Sequence, residues 1–392
     1  MSELTIIRMG ERGDGLANGR AYPRTLQGEV IDQAGRVLKP SPDRIDPFCP
    51  VFDICGGCKT QHWREEPYRI WKTSLLTEAL NAKGLDTRIS PLIDAHGEGR
   101  RRVALHVRKI ANEWRAGFME AGTHKLVPLD SCPILVQRLQ NAPQIAAQLG
   151  VIFGDCDVAV TAVQNGLDLA IKAERKLADK AAVQFAPFMQ RHGIARIAVN
   201  GHTEGQTQVP VITMGKALVQ LPVGSFLQAT QEGEETLAQL LGDQLRKVKN
   251  MADLFCGVGP FALRLAEKTA VTAIDSDKPV IGALQTALRN TQGLKPVKAE
   301  ARDLFQNPLV PAELNDFDLV ALDPPRAGAE AQCRMLAKSR VKRVAYVSCD
   351  VQSFARDAAI LVTGGFKLEE VTPVDQFKYS PHLEMVAAFR RT

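Results

Sequence analysis

The chain has no apolar run near the ~18–20 residues that a bilayer-spanning helix needs. Its first residues, MSELTIIRMGERGDG, contain no apolar stretch and no cleavage-site pattern, so neither a membrane span nor a secretory leader is expected. It has no repeat at solenoid periods and no low-complexity segment. Excess charge of one sign is small: 49 Lys and Arg face 44 Asp and Glu, a net of +5, with an isoelectric point near 8.7. That balance is compatible with a nucleic-acid partner but does not argue for one. Apolar residues make up 45% and charged residues 24% of the 392, which excludes disordered, collagen-like and disulfide-scaffold classes. At ~100–200 residues per domain, the length suggests two or three domains. Eight cysteines without a leader point to the cytoplasm, where they are thiols, metal ligands or catalysts before they are disulfides.

Three textures divide the chain. Residues 1–48 hold short β-like runs between glycines and end in the loop-like KPSPDRIDP, which reads as a very small β module. Residues 49–225 look mixed α+β. PYRIWKTSLLTEAL has helical spacing at Trp71, Leu75, Leu76 and Leu80, and Asn165-Gly166 between alternating runs signals a hairpin. From 226 to 392 the texture alternates strand and helix. NMADLF, AVTAI, DLVAL and RVAYVS are the short apolar runs that a parallel sheet buries on both faces. This region is expected to be a doubly wound α/β domain.

The first strand–helix turn of that region reads DLFCGVGPFA. Gly257, Gly259 and Ala262 fit G-x-G-x-x-G/A, and Asp275 ends the next strand, where a carboxylate can bind ribose hydroxyls. The pattern predicts a nucleotide-like ligand and does not separate a dinucleotide from S-adenosylmethionine. Two later strands end in LDPPR and YVSCD, at the carboxyl edge where open α/β sheets place chemistry. Successive prolines hold Asp323 at a rigid exit from the sheet. Cys349 is either a small buried hydrophobe or a nucleophile.

Together these residues resemble the RNA uracil-5-methyltransferase family. The resemblance rests on DLFCGVGPFAL, LDPPRAG, YVSCD followed by ARD, the terminal HLEMV, and FLQAT at 226–230, in the family's order. It implies a Rossmann-like class I methyltransferase domain at the C-terminus. It implies an abbreviated TRAM/OB-like RNA-binding module at the N-terminus, in GERGDGLA and YPRTLQGEV. It also implies methyl transfer from S-adenosylmethionine to C5 of a uridine in RNA. Uracil C5 cannot take a methyl group unaided; a thiolate adding at C6 makes it enolate-like, and a base later removes the C5 proton. The family pattern places the nucleophile at Cys349 and the base at Glu384. It makes Asp323 a contact to the uracil edge or the cofactor, and Gln228 a contact to both. Phe255, Gly257, Gly259 and Asp275 would line the cofactor, with Asp303 near its adenine. The chain departs from the family pattern at Val351 and Lys378 (both for proline), Ser380 (for Thr), Thr230 (for Asn) and Pro260 (for Asn). These departures bear on the shape of the uridine pocket.

Cys49-x5-Cys55-x2-Cys58 and the distant Cys132 can converge on a metal. Four cysteines suit a closed zinc site, and the spacing is also near a ferredoxin pattern. The family's rRNA-directed members carry such cysteines around a 4Fe–4S cluster, so the resemblance implies a cluster with a structural role. It also favours 23S rRNA over tRNA as the substrate. Cys156, Cys256 and Cys333 read as unliganded. Arg100, Arg101 and Arg102 open a predicted strand running to Arg108 and Lys109, and this stretch is expected to contact RNA phosphate. A monomer is expected.

Rival readings differ in identifiable ways. A DNA cytosine-5 methyltransferase would carry its cysteine after the DPPR strand. An amino-group methyltransferase would show an aromatic residue where Arg326 stands, and a radical enzyme would need CxxxCxxC. A redox iron–sulfur protein, or a catalytically dead RNA-binding protein, would transfer no methyl group.

Overall fold

A computed structural model of the chain describes residues 3–174 and 182–391. The C-terminal region is built on a nine-stranded sheet. Five strands are parallel, in the spatial order Val297–Ala301, Ala270–Asp275, Asn250–Leu254, Leu319–Leu322, Arg343–Ser348. Glu384–Arg390 and Lys367–Asp375 follow as antiparallel neighbours. The central runs are short and, apart from the buried Asp253, apolar at their cores because helices cover both faces. Chain order reverses between Asn250–Leu254 and Leu319–Leu322, and this switch opens a crevice at the carboxyl edge of the sheet.

The expected helix spans Glu65–Asn81. Leu76 and Leu80 on it pack into the apolar layer that contains Phe354 and Leu361 of the helix Val351–Thr363. Trp71 and Leu75 join Met9, Leu26 and Trp63 of the N-terminal region. Arg88–Ile89 and Ile93–Asp94 then pair in parallel with Lys367–Asp375. Residues 65–94, expected as part of the middle region, are thus packed onto the C-terminal sheet. That sheet had an open edge and an uncovered apolar face, and this segment supplies both partners.

A separate seven-stranded sheet spans residues 102–206. Its Cys156–Val163 and Gly166–Ala173 form the expected hairpin, with Gln164 and Asn165 in the turn. Gly166 sits at φ +144°, and a Cβ there would come within 2.5 Å of the Gly193 carbonyl oxygen. The N-terminal module consists of two three-stranded sheets, order Leu4–Thr5, Val30–Ile31, Val37–Lys39 and order Arg8–Met9, Gly15–Ala17, Arg20–Tyr22. Strands this short hold little ladder energy, and buried Glu29 supplements it by accepting from Arg44 at 2.6 Å and 2.8 Å. No described helix is long and apolar enough to cross a membrane.

Candidate active site

The glycine turn is built by its backbone. Phe255, Gly257 and Gly259 all take positive φ, at +65°, +53° and +90°. A Cβ at Gly259 would meet Leu284 at 2.5 Å, so this glycine serves close packing of the turn. The Gly257 N–H donates to Asp275 Oδ2 at 3.0 Å, which ties the turn to the end of the next strand. Pro260 is the first residue of the helix Pro260–Leu265, a position where its missing N–H costs nothing.

Asp323 follows the last apolar residue of its strand, and its N–H still donates across the sheet to the Leu254 carbonyl at 3.2 Å. Cys349 stands between strand Arg343–Ser348 and the cap Asp350, whose carboxylate accepts from Gln352 and Ser353 N–H at 3.1 Å and 2.9 Å. Val351 opens that helix. The first helical residue needs no hydrogen-bonded N–H, so Val and Pro are interchangeable there. Thr230 caps the helix Gln231–Asp243 by accepting from Gly233 N–H at 2.9 Å. Asn, which it replaces, caps equally well. Ser380 donates to the Phe377 carbonyl at 2.8 Å, which needs only a hydroxyl. Lys378 holds Asp94 at 2.5 Å and Glu65 at 3.4 Å, anchoring the loop where a proline would have stiffened it.

A cavity of about 520 Å³ lies at the carboxyl edge of the sheet. Gln228, Phe255, Gly257, Asp275, Asp303, Asp323, Cys349 and Glu384 all line it. Gly259 is the one expected site residue absent from the wall. Phe305 packs on Phe255 at 5.4 Å, and Asp303 shapes that loop by accepting from Phe305 N–H at 2.9 Å.

The chamber is rich in buried carboxyl groups. Asp253 is fully buried at the centre of the sheet, and neither carboxyl oxygen has a hydrogen-bond partner. Burial, with Asp323 and Asp275 nearby, pushes it up to about 8. Burial also raises Asp323 to about 7, against the Gln228 hydrogen bond. Glu384 is raised well above the carboxylate range by burial and by Asp323, and its Oε2 has no partner. The Cys349 thiol is raised to about 12 by burial and then by Glu384 and Asp323. Removing acidic groups from water disfavours their charged forms, and each ionised neighbour disfavours the next. Such a chamber accommodates a cationic ligand, whose charge lowers all of these values together.

Several residues here carried no signal in the sequence. Gln376, fully buried, donates to Gln228 Oε1 at 2.6 Å and to Glu384 Oε1 at 3.1 Å. Gln228 donates in turn to Asp323 Oδ2 at 3.2 Å. Lys72, buried in the helix Glu65–Asn81, pairs with Asp375, which also accepts from Tyr68 at 2.6 Å. Only the three-dimensional meeting of residues 68, 72 and 375 shows why a helix buries a lysine.

The basic stretch resolves into separate roles. Arg101 is buried, donates to the Gln228 carbonyl at 3.0 Å and pairs with Glu234, which Arg264 meets at 2.8 Å. It is therefore withdrawn from phosphate, contrary to expectation, because a buried carboxylate requires a cation. Arg108 is occupied by the Val107 and Cys156 carbonyls and by Asp157. Arg100 has an Nε without a partner, and Lys109 is exposed.

Cys49, Cys55, Cys58 and Cys132 converge. Each of the last three has its thiol raised by burial and by others of the set, Cys58 to about 11 and Cys132 to about 12. Gly57 N–H donates to Cys55 Sγ at 3.3 Å. Among the described residues, however, no three His, Cys, Asp or Glu side chains form a group that could hold a single metal ion. Cys156, Cys256 and Cys333 are buried and apart from the four.

A doubly wound sheet with a glycine turn, a strand-end acid and a carboxyl-edge cavity marks a nucleotide-type ligand site, and the antiparallel strand Glu384–Arg390 set between Arg343–Ser348 and Lys367–Asp375 gives the sheet order of an S-adenosylmethionine-dependent methyltransferase. Comparison with known proteins narrows this. The sequence model described as tRNA (Uracil-5-)-methyltransferase matches residues 220–391. A protein of Brucella suis described as an uncharacterized RNA methyltransferase is 42% identical, over 99% of this chain and 98% of its own. The 23S rRNA (uracil(1939)-C(5))-methyltransferase RlmD of Alteromonas mediterranea is 29% identical, over 98% and 87%. In structure, the Pyrococcus abyssi tRNA (uracil-54, C5)-methyltransferase matches with a TM-score of 0.77 at 20% identity, covering 99% of this chain and 100% of that one. The chain belongs to the RNA uracil-5-methyltransferase family.

Proposed function

We propose that the protein methylates C5 of a uridine in RNA, with Cys349 as nucleophile and Glu384 as base. The observation that carries this is the meeting of Cys349, Glu384, Asp323 and Gln228 in one cavity beside the glycine turn. S-adenosylmethionine supplies an electrophilic methyl group on a sulfonium. The cavity fits such a cation, because Asp323 and Glu384 in its wall are carboxyl groups that burial makes costly to ionise alone. Phe255, Gly257, Asp275 and Asp303 form the wall that would hold the rest of the molecule, with Gly259 shaping the turn.

Cys349 gives its thiol proton to solvent water and its sulfur bonds to uracil C6, which sends the electron pair of the C5=C6 bond toward C5 and O4. C5 then takes the methyl group, and the bond from methyl to sulfonium breaks with its pair on sulfur. Glu384 Oε2 accepts the C5 proton, the C5=C6 bond re-forms, and the C6–S bond breaks with its pair on Cys349. Asp323 and Gln228 orient the uracil edge. Because Cys349 lies inside the cavity, the uridine must be flipped out or held in a loop.

We favour 23S rRNA as the substrate, supported by the likeness to RlmD along 98% of the chain. tRNA is the alternative. We further propose that Cys49, Cys55, Cys58 and Cys132 hold a 4Fe–4S cluster. The cysteine spacing shared with the family's rRNA-directed members supports this, and zinc is the alternative for the same four thiols. The cluster's part is structural, joining the Cys49–Cys58 loop to Cys132. The division into 1–48, 49–225 and 226–392, with residues 65–94 of the middle region docked on the C-terminal sheet, a monomeric state and a cytoplasmic location belong to the same proposal. Incubation with 5-fluorouridine-substituted 23S rRNA and tRNA tests it, since fluorine cannot leave as a proton. A covalent protein–RNA adduct that disappears in Cys349→Ala is expected. No adduct with either RNA, with methylation unchanged in Cys349→Ala, would refute the mechanism.

A further inference from the structure

Asp323, Gln228, Gln376 and Glu384 form one chain of hydrogen bonds, and within it Gln376 is a side chain that does not line the cavity. Gln376 has two amide protons and spends both: one on Gln228 Oε1 at 2.6 Å, one on Glu384 Oε1 at 3.1 Å. Its own Oε1 faces the Thr230 N–H at 3.5 Å, so the amide has a donor on one side and acceptors on the other. Reversing it would set oxygen against two oxygens.

Two consequences follow from this arithmetic. With its oxygen engaged by Gln376, Gln228 must turn its NH2 toward Asp323, and it does so at 3.2 Å. With Oε1 of Glu384 engaged, the free and buried Oε2 is the oxygen open to take a proton. The site is tightly built around this side chain. A Cβ on Gly233 would come within 2.6 Å of Gln376 Oε1 and 2.8 Å of its Cβ. Gly233 lies within the helix Gln231–Asp243 and is not among the positive-φ glycines, so its lack of a side chain answers to Gln376 and Thr230 rather than to backbone conformation.

We infer that Gln376 is a positioning residue that selects Oε2 of Glu384 as the proton acceptor and sets the amide of Gln228 toward Asp323. This rests on the proposed role of Glu384. It predicts a defect largest in the last step, in which the C5 proton leaves and the thiol is released, with a smaller one in uridine orientation through Gln228. Its hydrogen bond also favours the ionised form of Glu384, so its loss would move the rising limb of the pH–rate profile to higher pH.

The test uses the full-length protein with ordinary uridine RNA and S-adenosylmethionine, and reads denaturation-resistant protein–RNA adduct beside kcat, KM and the pH profile. Gln376→Leu removes both donors at similar volume. It is expected to lower kcat roughly 10- to 100-fold, to change either KM less than about threefold, to accumulate methylated adduct and to shift the rising limb upward. A purely structural role would lower the active fraction without adduct and without the shift. Gly233→Ala displaces Gln376 while leaving every reacting group intact, and is expected to reproduce the adduct; it decides the matter if Gln376→Leu does not fold. Glu384→Gln is the reference. If it traps adduct while folded Gln376→Leu and Gly233→Ala turn over like the parent, the inference falls and the base assignment stands. If Glu384→Gln traps nothing and turns over normally, the base assignment falls and takes the inference with it.

Discussion

Cys349 and Cys132 are both pushed up to about 12, and burial is the first cause in each. Their remaining neighbours differ. Around Cys349 stand Glu384 and Asp323, acids that can themselves hold protons and whose charge a bound cation would offset. Around Cys132 stand Cys58, Cys49 and Cys55, thiols of the same kind, with the Ile134 N–H as its backbone donor. A thiol among protonatable acids can ionise singly when positive charge arrives and can recover its proton afterwards. Thiols that repel one another ionise together only when one multivalent group binds them all. On the proposed roles, the same residue type serves turnover in one place and a permanent bond in the other.

The sharpest way to break this comparison is to remove one thiol from each place. Cys349→Ala should abolish methyl transfer, a loss of at least about 10³-fold, with melting temperature and bound iron unchanged. Cys58→Ala should instead lose iron and inorganic sulfide and lower the unfolding free energy by on the order of 2–4 kcal/mol, read as a drop in melting temperature. Iron retained in Cys58→Ala, or activity retained in Cys349→Ala, would dissolve the contrast.

A milder probe is alkylation. At pH 8 the Cys349 thiol should react slowly with iodoacetamide in the protein alone. Addition of S-adenosylmethionine at low occupancy of RNA should speed it severalfold, because positive charge beside Glu384 and Asp323 favours the thiolate. Mass mapping of the modified cysteine gives the rate, and no acceleration would mean the acids do not govern the thiol.

The acid chamber should also mark the pH dependence of stability. Asp253 is raised to about 8 in the folded chain, against about 3.9 unfolded. Below the unfolded value it is protonated in both states and costs nothing. As pH rises from about 4 to about 8, the unfolded chain ionises first and stability falls. Without cofactor, Asp253→Asn should remove this fall and gain about 1–3 kcal/mol at pH 8 relative to pH 5. Denaturant melts at the two pH values measure it, and equal slopes for both proteins would count against it.

The smallest effect concerns RNA. Arg100→Ala should lower the slope of log affinity against log salt by about one, as expected for one lost phosphate contact. Arg101→Ala should leave that slope alone and impair methyl transfer, since Arg101 holds Gln228 and Glu234. If both variants change the slope alike, the separation of the two arginines is mistaken.

Local signals in the chain were sufficient for the glycine turn, the strand-end acids and the helix at 65–81, because each depends on residues near one another in sequence. The family pattern added the roles of Cys349 and Glu384. The five departures from that pattern could not be judged locally. Val351, Thr230 and Ser380 proved to occupy a helix start, a cap and a hydroxyl contact, where either residue serves, whereas Pro260 starts a helix and also lines the cavity. Lys378 proved to be anchored by Asp94 and Glu65, far away in the chain.

By itself the sequence determined which elements form and which reactive groups are present, since periodicity, turn chemistry and motif order act over a few residues. It also determined that eight cysteines would be available as thiols. Only the tertiary structure decided their company. Pairing of Arg88–Ile89 with Lys367–Asp375, burial of Lys72 against Asp375, withdrawal of Arg101 and the bridging by Gln376 all join residues more than a hundred positions apart or on different elements. Proton affinity and hydrogen-bond direction depend on what surrounds a group at a few ångströms, and that is a property of packing rather than of order along the chain.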